Sequence, residues 1–314
     1  MRIRSFLLVA ALGGISMLAQ AQWPERPIQL TVPFPAGGTI DVVARSFSQA
    51  LGAELRQPVV VVNRDGASGA IGAGAVASAA PDGYTIAFMP HGPLTVQPTL
   101  NKKLSYSLAR FRPICQVFSY PYVLAVRADS PHASLKDFIA AAKAARKEMT
   151  YGFGGVGTAP HFAMLQTAQE TGTKFLGVPF RGDPPVALAL KGGEIDSAVL
   201  TVEVAVRLGF KMLAAFSDKR LPSQASLATA REQGVNVIAT TIAGLVAPAG
   251  ISSDVTRTLE AGCATAVQTP EFQDTMKRQN QTVEYLTGEK FGNVLRADSD
   301  EKRRLIESNG LAVE

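Results

Sequence analysis

The sequence is poor in the residues that most often carry out chemistry. It contains two cysteines and three histidines, and no histidine stands at metal-ligand spacing from another histidine or a glutamate. It lacks both the G-x-S-x-G turn of serine hydrolases and the G-x-x-x-x-G-K-[ST] phosphate loop. We therefore expect no catalytic residue, no metal site and no cofactor, and we predict that the chain is not an enzyme.

A strong excess of charge and long apolar runs are missing as well. The formal net charge is +5, and the basic residues are spread along the chain instead of clustering among aromatic residues. Nucleic acid is therefore not an expected partner. No segment beyond the N-terminus predicts a transmembrane helix. The mild positive excess suits anionic ligands.

The first 21 residues differ from the rest. Arg2 and Arg4 precede an apolar run over 6–18, and Ala19-Gln20-Ala21 forms an A-x-A cleavage site. This pattern predicts a secretory signal peptide over 1–21 and a periplasmic protein. The alternative is an N-terminal membrane anchor, for which the apolar run is short.

The two cysteines, Cys115 and Cys263, lie far apart in sequence. Export would permit a disulfide between them. We favour the interpretation that both are small, buried apolar residues, and the disulfide remains the alternative. Their spacing excludes a metal motif of closely spaced cysteines.

Strand-like and helix-like segments alternate along the chain. The first stretch predicts the order β-α-β-α-β, with strands at 28–32, 59–62 and 85–89 and helices at 41–55 and 66–80. The strand at 59–62 is almost purely β-branched, which predicts that it is buried. This order implies a parallel sheet covered by helices on both faces.

A second α/β unit follows, from a strand at 122–126 to a strand at 212–216. After Pro248 the pattern predicts an all-helical tail that packs back on the first unit. The expected architecture is α/β with two lobes, each a mainly parallel sheet flanked by helices. Domain 1 is discontinuous (22–122 and 245–314), domain 2 covers 123–244, and two crossover strands near 121–127 and 240–247 form a hinge.

Two glycine-rich loops, over 33–41 and 153–161, each join a predicted strand to a predicted helix. Glycines let the backbone turn sharply, and a helix N-terminus offers unpaired N–H groups with partial positive charge. Each loop is thus a candidate anion site, and the pair suits a ligand with an anionic group at each end. For the first loop, the alternative is a tight turn with Thr39 or Asp41 as a helix cap. A third glycine segment, over 63–72, does not fit the dinucleotide-binding pattern.

Several segments together carry a family resemblance, and they occur in the family's order: Val32-Pro-Phe-Pro-Ala-Gly-Gly-Thr-Ile-Asp41, Asn63-Arg64, Ala80-Pro-Asp-Gly-Tyr84, Val178-Pro-Phe-Arg-Gly182, Lys191-Gly-Gly-Glu-Ile-Asp196 and Ala247-Pro-Ala-Gly250. The chain resembles the Bug receptors, the periplasmic substrate-binding proteins of tripartite tricarboxylate transporters. The resemblance covers essentially the whole mature chain.

The resemblance implies a flytrap-like periplasmic-binding-protein fold that binds carboxylates through backbone and hydroxyl donors and bridging waters. By position, one end of the ligand is expected to meet Phe34, Ala36, Gly37, Gly38, Thr39 and Asp41. The other end is expected to meet Gly154, Gly157, Thr158, His161, Phe180, Arg181 and Gly182, with His91 and Gly92 on the cleft floor. The implied protein is a monomer that delivers a mono-, di- or tricarboxylate, or an amino acid, to membrane permease subunits. The alternative partner is a membrane sensor kinase.

The chain also departs from the family pattern. Asp65 replaces the usual proline, Ala243 replaces an aromatic residue, and Glu203 lies in a segment without the usual pattern. We expect Ala243 and Glu203 near the cleft rim, where they leave the ligand's identity open. If Asp41 faces the ligand, it favours a ligand with an ammonium group. If it only caps the helix, plain mono- or dicarboxylates are favoured.

Overall fold

A computed structural model describes residues 23–279, 281–308 and 310–311, so the predicted signal peptide lies outside the described residues. The strands are β1 Ile28–Val32, β2 Val59–Asn63, β3 Thr85–Pro90, β4 Phe111–Val126, β5 Met149–Phe153, β6 Phe175–Pro179, β7 Ser197–Thr201, β8 Lys211–Ala215, β9 Thr240–Pro248 and β10 Thr282–Thr287. The helices are α1 Thr39–Leu55, α2 Ala70–Ala77, α3 Gly92–Thr95, α4 Gln97–Leu100, α5 Leu135–Ala144, α6 Ala159–Thr171, α7 Asp183–Gly192, α8 Val202–Arg207, α9 Ser253–Ala266, α10 Pro270–Arg278 and α11 Gly288–Ser308. Among these helices, none combines the length and the apolar character needed to cross a bilayer.

The strands form one continuous path, in the order β2-β1-β3-β9-β4-β7-β5-β6, and β8 and β10 also pair with β4. Strands β1, β2 and β3 are parallel, and so are β5, β6 and β7. The two parallel groups are joined through β4 and β9, which run antiparallel to their neighbours. The predicted α/β class with two mainly parallel units is confirmed.

Strand β4 belongs to both units. Its first part, up to Pro121, pairs with β9 and β10, and its last part, Tyr122 to Val126, pairs with β7 and β8. We call β1–β3, β9, β10 and the first part of β4, with helices α1–α4 and α9–α11, lobe 1. The last part of β4 and β5–β8, with helices α5–α8 and the connecting loops, form lobe 2. The two predicted crossover strands are therefore neighbours in one antiparallel pair.

Aromatic packing ties the C-terminal helices to lobe 1. The Phe47 ring of α1 lies 5.2 Å from Phe88 of β3 and 5.9 Å from Phe272 of α10, measured between ring centroids. All three side chains are fully buried. Truncating such a residue to alanine typically lowers the free energy of unfolding by about 3–5 kcal/mol. This aromatic contact therefore helps to hold the C-terminal helices against lobe 1.

Two predictions about strands are wrong. The tail is not all-helical, because β10 adds to the edge of the sheet along β4. Strand β2 is not buried, because it is itself an edge strand with a neighbour on one side only. The side chain of Val60 is therefore 50% exposed. Composition does not distinguish an edge strand from a central one, since the difference depends on strand order.

The interpretation of the cysteines as free is also wrong. Cys115 of β4 and Cys263 of α9 form a disulfide, with their Cα atoms 6.7 Å apart. Helix α9 packs on β4, and this packing brings together two residues separated by 148 positions. The pairing follows from tertiary structure, which the spacing of the cysteines does not reveal.

Candidate ligand-binding cleft

A cleft of about 610 Å³, counted out to its open mouth, lies between the two lobes. Its walls come from the loops that follow β1 and β3 in lobe 1 and β5 and β6 in lobe 2. These are carboxyl ends of parallel strands, where open α/β sheets bind ligands. The lining residues are Phe34, Pro35, Gly38, Thr39, Ile40, Pro90, His91, Gly92, Pro93, Tyr120, Tyr122, Gly154, Thr158, Ala159, Pro160, Gly182, Asp183, Pro184 and Thr241.

Besides the one-turn helix α3, three longer helices begin at the cleft. The N-cap residues of α1, α6 and α7 are Gly38, Thr158 and Gly182, and none of them caps its helix through a side-chain hydrogen bond. The first-turn N–H groups of a helix have no partner inside the helix, and they carry partial positive charge. In α7 the second and third residues are prolines, which have no N–H group. Helix α6 has a single proline, Pro160, at its second position, so α1 and α6 present more unpartnered N–H groups to the cleft than α7 does.

Asp41 holds the first glycine loop in place. Its carboxylate accepts hydrogen bonds from the Gly37 N–H at 2.9 Å, the Asn63 amide at 2.8 Å and the Arg45 guanidinium at 3.0 Å. Burial alone would raise the pKa of Asp41, but these hydrogen bonds hold it below its ordinary value. The side chain is buried and does not line the cleft. Of the two roles left open by the sequence, the geometry supports the structural one.

His161 supports the second glycine loop in a similar way. Its Nδ1 accepts a hydrogen bond from the Gly157 N–H at 3.1 Å, and its ring stacks on Phe153 with centroids 4.5 Å apart. Burial lowers the pKa of His161 to about 4, so the ring is neutral at pH 7. Thr158, by contrast, lines the cleft, and its hydroxyl donates to the Gly155 carbonyl at 2.7 Å.

The cleft floor is made by the two crossover strands. The hydroxyl of Tyr122 lies 3.0 Å from that of Thr241 and 3.4 Å from that of Tyr120. Burial raises the pKa of both tyrosines, so both are neutral at pH 7. Sequence reasoning missed this floor. The available signal was a pair of tyrosines where a predicted crossover strand begins.

His91 adds a neutral side chain to the lobe 1 wall. Its Nδ1 accepts a hydrogen bond from the Ile242 N–H at 3.2 Å, and its Nε2 lies 4.0 Å from the Asp298 carboxylate. Burial lowers the pKa of His91, although the nearby Asp298 acts in the opposite direction. The cleft therefore meets a neutral imidazole at this position.

Asp183, the first residue of α7, is the acidic residue of the lining. Its carboxylate accepts no hydrogen bond from any described residue. Burial and the neighbouring carboxylate of Glu203 raise the pKa of Asp183 to about 6. Glu203 itself is buried and paired with Arg207 at 2.6 Å. The sequence predicted ligand contacts at Phe180, Arg181 and Gly182, directly before Asp183, but none at Asp183 itself.

Eight of the predicted binding residues line the cleft: Phe34, Gly38, Thr39, His91, Gly92, Gly154, Thr158 and Gly182. Five others lie outside this lining: Ala36, Gly37, Asp41, Gly157 and His161. Phe180 and Arg181 line a smaller adjoining cavity instead, together with the segment from Asp65 to Gly69.

The expected place of Ala243 at the cleft rim is wrong. Ala243 is fully buried, and in the sheet register it lies between Pro90 of β3 and Phe118 of β4. Thr241, two residues earlier on β9, reaches the cleft. The substitution at Ala243 therefore belongs to the core of the sheet.

Fold and cleft together define a two-lobed solute-binding protein. Residues 43–311 match the family model of the tripartite tricarboxylate transporter family receptors. A Cupriavidus necator protein named for the gbd 5′ region is 32% identical over 96% of this chain and 94% of its own. The chain belongs to this receptor family, which makes it a binding protein and not an enzyme.

Solved structures agree with this assignment. The periplasmic binding protein BugD is 29% identical, with a TM-score of 0.86 over 93% of this chain and 100% of its own. An R. palustris protein solved with adipate is 25% identical, with a TM-score of 0.87 over 92% of this chain and 99% of its own. The described residues contain no group of three side chains suited to hold a metal ion.

Proposed function

We propose that this protein is a periplasmic receptor that captures a small carboxylate in the cleft between its lobes. It then delivers the ligand to the membrane permease subunits of a tripartite tricarboxylate transporter. The observation that carries the proposal is the meeting of two uncapped helix N-termini, of α1 and α6, at one cleft. The family supports the transporter partner, and the adipate-bound relative supports the ligand class.

Neutral donors bind the ligand in this proposal. One carboxylate docks on the first turn of α1, where the N–H groups of Thr39 and Ile40 have no helical partner. The other end of the ligand meets the start of α6 at Thr158 and Ala159. The lining contains no lysine or arginine, so binding relies on helix ends and hydroxyl groups instead of a salt bridge.

Closure of the lobes completes the site. The Thr39 hydroxyl lies 3.3 Å from that of Thr201 across the cleft, and the Gln97 amide donates to the Val156 carbonyl at 2.8 Å. Both pairs join lobe 1 to lobe 2. We propose that the moving bodies are residues 22–122 with 245–314, and residues 123–244, and that these contacts form when the ligand is enclosed.

Gly38 offers a direct test. A Cβ atom at this position would meet the Pro35 carbonyl at 3.6 Å and Pro184 of lobe 2 at 4.0 Å, which are ordinary contacts. Gly38→Ala should therefore retain binding. The Gly38→Leu side chain should occupy the space for the ligand carboxylate at the start of α1 and obstruct closure. The binding free energy should weaken by about 1–3 kcal/mol for each buried donor left unpaired. Thermal unfolding with adipate, succinate, citrate, aspartate and glutamate measures binding, because a ligand that binds only the folded state raises Tm.

The expected result is a Tm increase with at least one of these probes for the wild type and Gly38→Ala, and none for Gly38→Leu. Circular dichroism establishes that both variants are folded. An equal Tm increase in folded Gly38→Leu would contradict docking at α1. The absence of any Tm increase in the wild type would contradict the ligand class.

A further inference from the structure

The charge of the cleft is unusual for a site that takes anions. Its lining contains no lysine or arginine, and its histidine and both tyrosines are neutral at pH 7. Asp183 is the acidic lining residue. A plain dicarboxylate would therefore share the closed cleft with another carboxylate and with no cationic lining residue to offset it.

The carboxylate of Asp183 makes no hydrogen bond within the fold. It lies in the first turn of α7, where its charge suits the helix dipole, but it does not cap the helix. No described residue donates a hydrogen bond to Asp183. The charge that acts on Asp183 is of the same sign, since Glu203 faces it from the adjoining start of α8. Arg207 is bonded to Glu203 and is not a partner of Asp183.

The start of α7 also differs from the two anion-binding helix ends. Pro184 and Pro185 follow Asp183, so α7 lacks two first-turn N–H groups, whereas α6 lacks one, at Pro160, and α1 lacks none. Where α1 and α6 present N–H donors, α7 presents a carboxylate acceptor. The cleft thus has two sides that suit a carboxylate and a third side that suits a cationic hydrogen-bond donor.

We infer that Asp183 makes this cleft selective for carboxylates that also carry an ammonium group, that is, for amino acids. The inference rests on the proposed function, because the same cleft and the same carboxylate docks are used. The ammonium group donates to Asp183 and compensates its charge, since Glu203 is already paired with Arg207. Asp183 is then a residue that determines specificity.

The test compares matched ligands by isothermal titration calorimetry on the mature chain. The pairs are aspartate with succinate, glutamate with glutarate, and alanine with propionate, which differ only in the ammonium group. The wild type should bind at least one amino acid roughly tenfold or more tightly than the matched acid that lacks the ammonium group. Asp183→Asn keeps the shape and removes the charge, and it should lower that preference by roughly tenfold or more.

Asp129→Asn is the matched control, because it removes the same charge from an exposed lobe 2 site outside the cleft lining. It should leave the preference unchanged. Equal or tighter binding of the unsubstituted acids by the wild type would overturn the role of Asp183 and leave the carboxylate receptor standing. An unchanged preference in Asp183→Asn would do the same. If neither acid of any pair binds, both the inference and the proposed ligand class are overturned.

Discussion

Two aspartates, Asp41 and Asp183, stand in the first turn of a helix beside the cleft, in opposite surroundings. Asp41 accepts hydrogen bonds from a backbone N–H, an amide and a guanidinium, and its pKa lies below the ordinary value. Asp183 accepts none from the described residues, and its pKa is raised. The first therefore stabilises a loop, while the charge of the second lies unpaired in the cleft lining and destabilises the fold.

Asp183→Asn should stabilise the unliganded protein at pH 8. Since the folded pKa is raised to about 6 from an unfolded value of about 3.9, the folded state holds the proton more tightly. Stability is therefore lost as pH rises from about 4 through 6, and the full penalty applies above that range. Removing the charge should raise the free energy of unfolding by roughly 1–3 kcal/mol at pH 8 and by much less near pH 4.

Urea unfolding at the two pH values measures this difference. Asp129→Asn, at an exposed position, should change the free energy of unfolding by less than about 0.5 kcal/mol. A stability gain in Asp183→Asn that is equal at both pH values would show that burial of a charge is not its cause.

The two aspartates also show how far the sequence leads at this scale. The loops at Gly38 and Gly154 could be predicted from nearby residues alone. Glycines between a strand and a helix allow a sharp turn, and the helix start offers unpaired N–H groups to an anion. Asp41 and Asp183 cannot be told apart in that way. Their roles depend on Asn63 and Glu203, which lie about twenty residues away in the chain and come close only in the folded protein.

At the scale of elements, β4 connects most of the features of this molecule. It pairs with β9 and β10 in lobe 1 and with β7 and β8 in lobe 2, and it supplies two tyrosines to the cleft floor. Its last part was predicted from an apolar run, whereas its first part was not assigned. A long strand that belongs to two lobes cannot be recognised from its own sequence. Each half pairs with different strands, so no single hydrophobic pattern runs through it.

The disulfide between β4 and α9 should contribute strongly to stability. It closes a loop of 148 residues, and the entropy removed from an unfolded chain of that size corresponds to about 2–5 kcal/mol. The variant with Cys115→Ala and Cys263→Ala should therefore unfold at a clearly lower guanidinium concentration than the oxidised wild type.

Wild type unfolded in the presence of dithiothreitol is the internal control, and it should approach the double variant. A thiol titration of the unfolded wild type without reductant should find no free thiol. Coincident unfolding curves for the oxidised wild type and the double variant would contradict a stabilising bond.

At the scale of the whole molecule, the lobes meet through glycines of lobe 2. A Cβ atom at Gly157 would overlap Leu100 of α4, and one at Gly155 would overlap Ser68. These glycines permit close approach of the lobes, in addition to the positive φ angles of +79° and +135° that they adopt. The sequence predicted their loop, but not that side chains of the other lobe would press against it.

Gly157→Ala should weaken ligand binding through this contact. The matched control is Gly172→Ala at the end of α6, where φ is +62° and a Cβ atom would have no other atom within 4 Å. Both variants should lose about 1–2 kcal/mol of stability from the left-handed backbone. Only Gly157→Ala should also lose affinity, roughly tenfold or more, because the overlap with Leu100 opposes closure.

Calorimetry with the tightest ligand of the wild type measures the affinity, and small-angle scattering measures the separation of the lobes. Gly157→Ala should scatter as a more open molecule at a ligand concentration that closes Gly172→Ala. Equal affinities of the two variants would show that contact at Gly157 plays no part in closure.

The disulfide has a mechanical consequence for the proposed closure. It ties β4 to α9 at Cys115, so we expect the first part of this strand to move together with lobe 1. Tyr120 and Tyr122 follow this tie along the strand and line the cleft. Bending of the strand at these residues during closure would displace the outer edge of lobe 2 much further than the cleft floor, because displacement grows with distance from the bend.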